Sequence, residues 1–187
     1  DKTGTLTRGE FRVARHIVLR PDLPEHALLE AAVLACERHP TDAMERAILA
    51  YAESRGVVLH DLYARWALVR DYDFDPVGKH MSHVWSALDA ADVHLVAAKG
   101  ALEGILAHAT GDPVARARVL AVNQELADAG LRVLALGARH TRSPGDRRDD
   151  DERDLEIYGL LAFQDPLRPE VPGAVAECQR AGIPIAK

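Results

Sequence analysis

The stretch WALVRDYDFDPVGKHMSHVWSALDAADVHLVA, residues 66–97, decides the fold of this chain because bulky side chains recur in it at alternate positions. Turn-forming residues separate three such runs at 75–78 and 89–92. A repeat of two is the repeat of a β-strand, and short polar connections join antiparallel neighbours. The stretch therefore predicts three antiparallel strands at the centre of an α+β domain, carried by Trp66, Leu68, Tyr72 and Phe74, then Met81, His83 and Trp85, then Val93, Leu95 and Ala97.

Helices and further strands are predicted on both sides of this centre. A strand over 9–19 precedes Asp22 and Asp42, each of which has a glutamate three positions later and so predicts a capped helix. Further on, the patterns predict helices near 101–109, 113–129 and 169–180, and strands over 131–138 and 157–163. The mixed-charge segment 140–153 is predicted to be a solvated, mobile loop.

The order of elements at the C-terminal end is typical of a βαβ unit in a parallel sheet. We therefore expect two architectures, with the antiparallel one inserted into an incomplete α/β one. The expected limits are 1–9 and 164–187 for the α/β part, and 10–163 for the inserted domain. Because the chain starts at Asp1 without a methionine and ends in a short apolar stretch, 183–186, we expect it to be a piece of a larger protein.

Composition excludes several classes of function. Of 187 residues, 48% are apolar and 28% charged, as in an ordinary globular protein, and 23 basic against 29 acidic residues give a net charge of −6. This balance disfavours general binding to nucleic acid or to an anionic membrane surface. No apolar run approaches the ~20 residues of a membrane span, and two cysteines cannot form a disulfide framework. The histidines lack metal-ligand spacing, since His80 and His83 fall on opposite faces of a predicted strand.

The first seven residues, Asp1-Lys2-Thr3-Gly4-Thr5-Leu6-Thr7, have the composition of a phosphoryl-acceptor loop. The Asp1 carboxylate can attack the γ-phosphorus of a nucleotide and form an acyl phosphate. Lys2 adds positive charge, and the hydroxyls and backbone N–H groups around Gly4 can hold phosphoryl oxygens. Such chemistry needs Mg²⁺ to neutralise the developing charge.

This heptapeptide resembles the phosphorylation motif of P-type ATPases, which belong to the haloacid-dehalogenase-like superfamily. The resemblance implies catalytic roles for Asp1, Lys2 and Thr3, and it makes Asp1 and Thr3 part of an incomplete Mg²⁺ site. Phosphatases of that superfamily usually carry a second aspartate, a general acid and base, at the position of Thr3. A threonine there implies a longer-lived phosphoenzyme, as an ion pump requires.

The resemblance extends over nearly the whole chain and implies an ATP site. The segment Phe74 to Ser82 is similar to the nucleotide-pocket strand of type II and type III pumps, in which the aromatic ring stacks on adenine and the lysine lies by the base. Lys99-Gly100-Ala101-Leu102-Glu103 is similar to the Lys-Gly-Ala-Pro-Glu at the bottom of that pocket, although Leu102 replaces the proline. The implied nucleotide-binding residues are Asp42, Phe74, Lys79, Met81, Lys99, Gly100 and Arg132, of which Arg132 would reach the phosphates and Asp42 would close the adenine side.

The segment Asp165-Pro166-Leu167-Arg168 is similar to the hinge at which the pump's chain returns to its phosphorylation domain, and it makes Asp165 and Arg168 hinge residues. The implied parent is an integral membrane protein with this part at the cytoplasmic face, partnered by ATP, Mg²⁺ and its transmembrane and actuator domains. Since the family's Thr-Gly-Asp and Gly-Asp-Gly segments are not in this sequence, we expect the chain alone not to turn over ATP.

Two other interpretations remain open from the sequence. The chain can be a nucleotide-binding module in which Asp1 is idle, or a haloacid-dehalogenase-like phosphatase fragment without a transport role. The pair His39-Pro40 also occurs in heavy-metal pumps, but their following Gly-x-Gly pocket is missing here. The transported ion is not specified, because ion sites of such pumps lie in membrane helices.

Overall fold

The computed structural model describes residues 7–90 and 92–183. In these residues the chain forms six strands and seven helices. The strands are β1 (Arg12–Val18), β2 (Trp66–Asp75), β3 (His80–Ala87), β4 (His94–Gly100), β5 (Arg132–Thr141) and β6 (Glu156–Gln164). The helices are α1 (Glu25–Leu34), α2 (Ala43–Ser54), α3 (Leu59–Arg65), α4 (Leu102–His108), α5 (Pro113–Asp128), α6 (Arg148–Asp151) and α7 (Val171–Arg180).

The six strands form one antiparallel sheet in the order β1-β6-β5-β4-β3-β2. The predicted central strands are confirmed as β2, β3 and β4, with Asp71 opposite His83 and Met81 opposite Lys99. The predicted parallel βαβ unit is wrong for β6, which pairs antiparallel with both β1 and β5. The strand after α7 that this prediction needs lies outside the described residues.

Helices cover both faces of the sheet. On one face, the side chains of Trp85 and Lys99 reach backbone carbonyls at the end of α1. On the other face, Val84 and Val96 pack with α4 and α5 in a buried apolar cluster. Because neighbouring residues of a strand point to opposite faces, β3 and β4 are buried on both sides, whereas β2 at the edge of the sheet is partly exposed. None of the helices in the described part has the length and apolarity needed to cross a bilayer.

The chain divides into two compact units. The larger is Arg12–Gln164 and contains the whole sheet with its helices, α7 excepted. The smaller joins Asp1–Phe11 to Asp165–Lys187. Its described part holds α7 and an isolated antiparallel bridge between Thr7 and Leu167.

Near the start of the chain, one local prediction from the sequence is wrong and one helix was not predicted. Asp22 does not cap α1, because Pro24 occupies the N-cap position and the Asp22 carboxylate pairs with Arg20 instead. The short helix α3 is not predicted, since no side chain caps its first turn and its seven residues give too little periodicity. Asp42, in contrast, is confirmed as the cap of α2 and accepts hydrogen bonds from the N–H groups of Met44 and Glu45.

The predicted solvated loop at 140–153 is also wrong in its second half, where α6 forms and Asp151 and Glu152 are fully buried. Asp151 accepts hydrogen bonds from Arg70 and Tyr72 of β2. Glu152 accepts from Ser82 and pairs with His80 at 2.9 Å, and with Arg148 at 2.9 Å. Asp151 and Glu152 are therefore anchors that hold this segment against β2 and β3, whereas Asp146, Arg147 and Asp149 remain exposed.

The His80–Glu152 pair makes the stability of the larger unit depend on pH. The hydrogen bond to Glu152 raises the pKa of His80, although burial opposes this. Burial favours a raised pKa for Glu152, but its hydrogen bonds with His80 and Ser82 outweigh burial, so the pKa is lowered. The pair therefore contributes fully between the ordinary values of 4.5 and 6.5, and the contribution is lost as pH rises through the raised pKa of His80 or falls through the lowered pKa of Glu152.

Glu152→Gln is expected to destabilise the protein by about 3–5 kcal/mol near pH 6, because it leaves a buried imidazolium without its partner. It should also abolish the loss of stability that the wild-type protein shows as pH rises above 6.5 through the raised pKa of His80. Urea unfolding at pH values from 6 upward measures both effects, with Glu53→Gln at an exposed position of α2 as control. A variant that keeps the wild-type slope would contradict the assignment.

Candidate functional site

A cavity of about 610 Å³ lies in the larger unit, beside the first turn of α2 and the ends of β2, β4 and β5. Its size is in the usual range of small-molecule sites. All seven residues predicted to bind a nucleotide line it, although they are spread over residues 42–132. They are Asp42, Phe74, Lys79, Met81, Lys99, Gly100 and Arg132.

Lys99 forms the floor of the cavity and is only 5% exposed. Its ammonium donates to the carbonyl of Ala35 and to the carboxylate of Glu45, both at 2.6 Å. The sulfur of Met81, opposite Lys99 on β3, completes its surroundings. A buried ammonium is stable only when such acceptors replace water. Lys99 thus ties β4 to the end of α1 and to the start of α2.

The first turn of α2 supplies two carboxylates to the cavity. Asp42 is exposed and uses Oδ1 for both of its cap hydrogen bonds, so Oδ2 can accept a further bond from a ligand. Glu45 is buried and bonded to Lys99. Sequence analysis assigned Glu45 only as the capping partner of Asp42. Its pairing with a residue 54 positions away carried no local signal.

The turn between β2 and β3 positions Lys79. Asp75 accepts hydrogen bonds from the N–H groups of Val77 and Gly78, and these bonds lower the pKa of its carboxyl. Lys79 follows with φ of 54°, a conformation that non-glycine residues rarely adopt. Its carbonyl accepts from Ala101, and its ammonium pairs with Glu103 at 2.9 Å. The strained turn is thereby fastened to the start of α4.

Gly100 permits the close approach of this turn to β4. A Cβ on Gly100 would lie 2.4 Å from the carbonyl oxygen of Lys79 and 2.6 Å from the Cα of His80. The sequence prediction placed Gly100 among the nucleotide-binding residues. In the structure, a glycine is required at position 100 because the backbone of Lys79 lies against it. Any larger residue at this position would displace that backbone.

Phe74 presents its ring at the cavity and is 58% exposed, so it is not a core residue. The β2–β3 register shifts between Tyr72 and Asp75, which marks a bulge. A bulge redirects side chains, and here both Phe74 and its neighbour Asp73 line the cavity, which a regular strand does not allow. An exposed ring beside a cavity is a surface on which a planar group can stack.

The charges around the cavity are mixed. Lys79, Lys99 and Arg132 face four carboxylates, those of Glu37, Asp42, Glu45 and Asp73. Lys99 and Lys79 are each paired with a glutamate, and Arg132 is exposed at the start of β5. The cavity therefore resembles a site for a mainly neutral, planar group with a few polar contacts more than a general anion trap. Glu37, Glu45 and Asp73 are lining residues that sequence reasoning missed.

The predicted hinge residues lie together in the smaller unit. Asp165 accepts hydrogen bonds from the Thr7 hydroxyl at 2.5 Å and from the N–H of Gly9 at 3.0 Å. Arg168 donates to the carbonyl of Thr7, and the N–H of Arg8 donates to Pro166. These bonds fasten the outgoing segment 7–9 to the returning segment 165–168. The predicted catalytic residues Asp1, Lys2 and Thr3 lie outside the described residues.

A second cavity, of about 450 Å³, lies between the β1–α1 turn and helices α4 and α5. None of the seven predicted nucleotide-binding residues lines it. The antiparallel sheet with helices on both faces defines an α+β domain, and the predicted nucleotide-binding residues line one cavity in it.

Comparison with protein families places the chain more closely. Residues 38–170, more than half of the chain, match the family model described as P-type ATPase, cytoplasmic domain N. The chain therefore belongs to the P-type ATPase family and contains its cytoplasmic domain N, as the sequence motifs predicted.

Several curated P-type ATPases are similar to this chain. It is 36% identical over 135 residues to the sodium/potassium exporting P-type ATPase cta3 of Schizosaccharomyces pombe, which covers 67% of this chain. It is 29% identical over 198 residues to the magnesium-transporting ATPase, P-type 1, of Salmonella typhimurium, which covers 99%, and 34% identical over 136 residues to the human plasma membrane calcium-transporting ATPase 1, which covers 64%. The chain spans only 13%, 21% and 11% of the lengths of these three relatives.

Glu45→Ala is expected to destabilise the protein by about 3–5 kcal/mol, because it leaves the Lys99 ammonium buried without its counter-charge. The exposed Glu53→Ala on the same helix is the matched control and should change stability by less than about 0.5 kcal/mol. Urea unfolding measures both. Replacing the pair together, as Glu45→Leu with Lys99→Met, should recover much of the loss. Equal unfolding curves for Glu45→Ala and Glu53→Ala would contradict the role of the pair.

Proposed function

We propose that this chain binds ATP in the cavity beside α2 and serves as the nucleotide-binding part of a P-type cation-transporting ATPase. The observation that carries the proposal is the convergence of seven residues from four separate segments on one cavity of suitable volume. Each of these residues alone has an ordinary structural explanation. Their meeting at one place is what a nucleotide site requires and what independent surface residues do not produce.

The geometry suits a nucleobase at the centre and phosphates toward the rim. The Phe74 ring is exposed at the cavity, so a purine can stack on it. Asp42 Oδ2 can accept from an exocyclic amine, while the floor at Lys99 and Met81 limits how deeply the base enters. Arg132, with its planar set of donors, is the residue suited to the phosphate oxygens.

The phosphoryl-transfer step that we propose for the parent protein uses Asp1. A carboxylate oxygen of Asp1 attacks the γ-phosphorus of ATP, the bond to the β-phosphate oxygen breaks, and ADP leaves an acyl phosphate behind. Mg²⁺, held in part by Asp1 and Thr3, supplies charge neutralisation when bound. Segments 1–9 and 164–187 would then belong to a haloacid-dehalogenase-like phosphorylation domain, into which 10–163 is inserted.

The partners and location follow from the same proposal. The parent would be an integral membrane protein whose transmembrane and actuator domains use the phosphorylation cycle, with this chain at the cytoplasmic face. The similar proteins are named for sodium and potassium, magnesium and calcium. The proposal is therefore limited to a cation as the transported substrate.

Phe74→Ala is expected to weaken ATP binding about 5- to 150-fold, since stacking on one aromatic ring contributes about 1–3 kcal/mol. Phe74→Tyr keeps a ring and should keep most of the affinity. Isothermal titration calorimetry with ATP measures the change.

The matched control for this experiment is Val77→Ala. Val77 is a highly exposed apolar residue in the same β2–β3 connection, and it does not line the cavity. Its replacement should leave ATP affinity unchanged. If Phe74→Ala and Val77→Ala bind ATP equally well, the cavity is not the adenine site.

Asp1→Asn tests the acceptor separately from the cavity. In the full-length parent, it should abolish the acid-stable label obtained from γ-labelled ATP and Mg²⁺, while ATP affinity is retained. The 187-residue chain alone should bind ATP without retaining label. If the full-length Asp1→Asn protein still acquires label, Asp1 is not the phosphoryl acceptor. If the label on the unchanged parent protein hydrolyses as fast as it forms, the phosphatase interpretation is favoured.

A further inference from the structure

Three side chains that can bind a metal ion meet outside the set assigned to the nucleotide: Glu37, Asp71 and His83. Asp71 and His83 are direct partners across the β2–β3 ladder, and Glu37 comes shortly after α1. One ligand atom from each residue lies within 4.8 Å of the others. Two of the three groups are carboxylates, and the third is an imidazole.

The imidazole of His83 is held in one tautomer. Its Nδ1 lies 3.0 Å from the carbonyl oxygen of Leu34, which can only accept, so Nδ1 must carry a hydrogen. In the neutral ring Nε2 therefore bears the lone pair. This arrangement, in which a backbone carbonyl holds the distal N–H, is the usual support of a metal-binding histidine.

The Nε2 atom of His83 is buried and has no hydrogen-bond partner among the described residues. The side chain is only 1% exposed, and Nε2 lies 3.3 Å from Asp71 Oδ1 and 3.8 Å from Glu37 Oε1. In a neutral ring, the Nε2 lone pair would lie close to two negative oxygens with no hydrogen to bridge them. A cation between the three atoms removes that repulsion and satisfies all of them.

The spacing of the atoms fits a small divalent ion. Two ligands about 2.1 Å from a tetrahedral zinc ion are about 3.4 Å apart. The two separations measured from Nε2, 3.3 and 3.8 Å, are close to this value. Asp71 and Glu37 are 38% and 44% exposed, so small side-chain rotations can close the site, and water can fill the remaining positions.

We infer that Glu37, Asp71 and His83 form a binding site for a divalent transition-metal ion of the zinc class. One nitrogen and two oxygens suit Zn²⁺ and Co²⁺ better than Mg²⁺, which prefers oxygen ligands only. The inference does not require the proposed ATP binding, since neither Asp71 nor His83 lines the nucleotide cavity, although Glu37 does.

The other cluster of candidate ligands, His80, His108 and Glu152, fits a metal less well. Glu152 already accepts from Ser82, and the guanidinium of Arg148 lies 2.9 Å from its Oε1. His80 Nε2 bonds to the remaining oxygen at 2.9 Å. A second cation beside Arg148 would meet repulsion with no free carboxylate oxygen to offset it.

The test is metal binding by the chain after chelator treatment. Zn²⁺ competed against a chromophoric chelator should bind at one ion per chain, and Co²⁺ should give visible d–d absorption. Asp71→Asn and Glu37→Gln should each weaken Zn²⁺ binding at least about tenfold. These exposed residues can be replaced without disturbing the core, so the test does not depend on a His83 variant that folds.

The matched controls are Asp61→Asn and Glu53→Gln, which remove the same charges from exposed helix positions. His108→Gln is the control for the other cluster. All three should leave Zn²⁺ affinity unchanged, and Zn²⁺ should shift the Nε2 resonance of His83 in nitrogen NMR spectra.

Three outcomes would each overturn the inference. The first is the absence of stoichiometric Zn²⁺ binding. The second is loss of Zn²⁺ binding in His108→Gln but not in Asp71→Asn. The third is a His83 Nε2 that stays protonated at pH 8 and whose NMR resonance does not shift when Zn²⁺ is added. The last result would make His83 a cationic partner of Asp71.

Discussion

The buried ammonium of Lys99 is the constraint on which the cavity depends. A charge so far from water requires acceptors at hydrogen-bonding distance, and these come from the end of α1 and the first turn of α2. Two helices are thus held at one point on β4, and the cavity opens beside that point. The same surroundings bury Cys36, and burial raises the pKa of its thiol to about 12. Cys36 is therefore an inert buried thiol beside the Lys99 site.

The wall opposite α2 depends on backbone geometry more than on charge. The bulge in β2 turns Phe74 toward the cavity, and the positive φ of Lys79 ends the connection to β3. Gly100 has no Cβ, so β4 can lie against that connection. A bulge and a strained turn both carry a free-energy cost that the surrounding packing must offset. Such features recur next to binding sites because they direct side chains that a regular strand cannot.

Sequence reasoning predicted what is local and missed what is distant. The alternation of bulky residues predicted β2, β3 and β4, and the capping pattern at Asp42 predicted the start of α2. Both features are determined by residues that are neighbours in the sequence. The burial of Asp151 and Glu152 was missed because their partners on β2 and β3 lie 70 to 81 positions away. In isolation, a run of alternating charges has the composition of a solvated loop. The pairing of Lys99 with Glu45 was missed for the same reason, whereas the seven residues that the motifs group together all line one cavity.

The inferred metal site and the nucleotide cavity share one residue, Glu37, which lines the cavity and belongs to the ligand cluster. A cation bound at Glu37, Asp71 and His83 would neutralise part of the negative charge on the cavity wall. Since ATP is an anion, it would then bind more tightly, and ATP would by necessity strengthen metal binding by the same factor. The size of this coupling depends on how much of the Glu37 charge faces the phosphates. Because Asp71 and His83 lie outside the cavity wall, Asp71→Asn can remove the coupling while it leaves the contacts to the base intact.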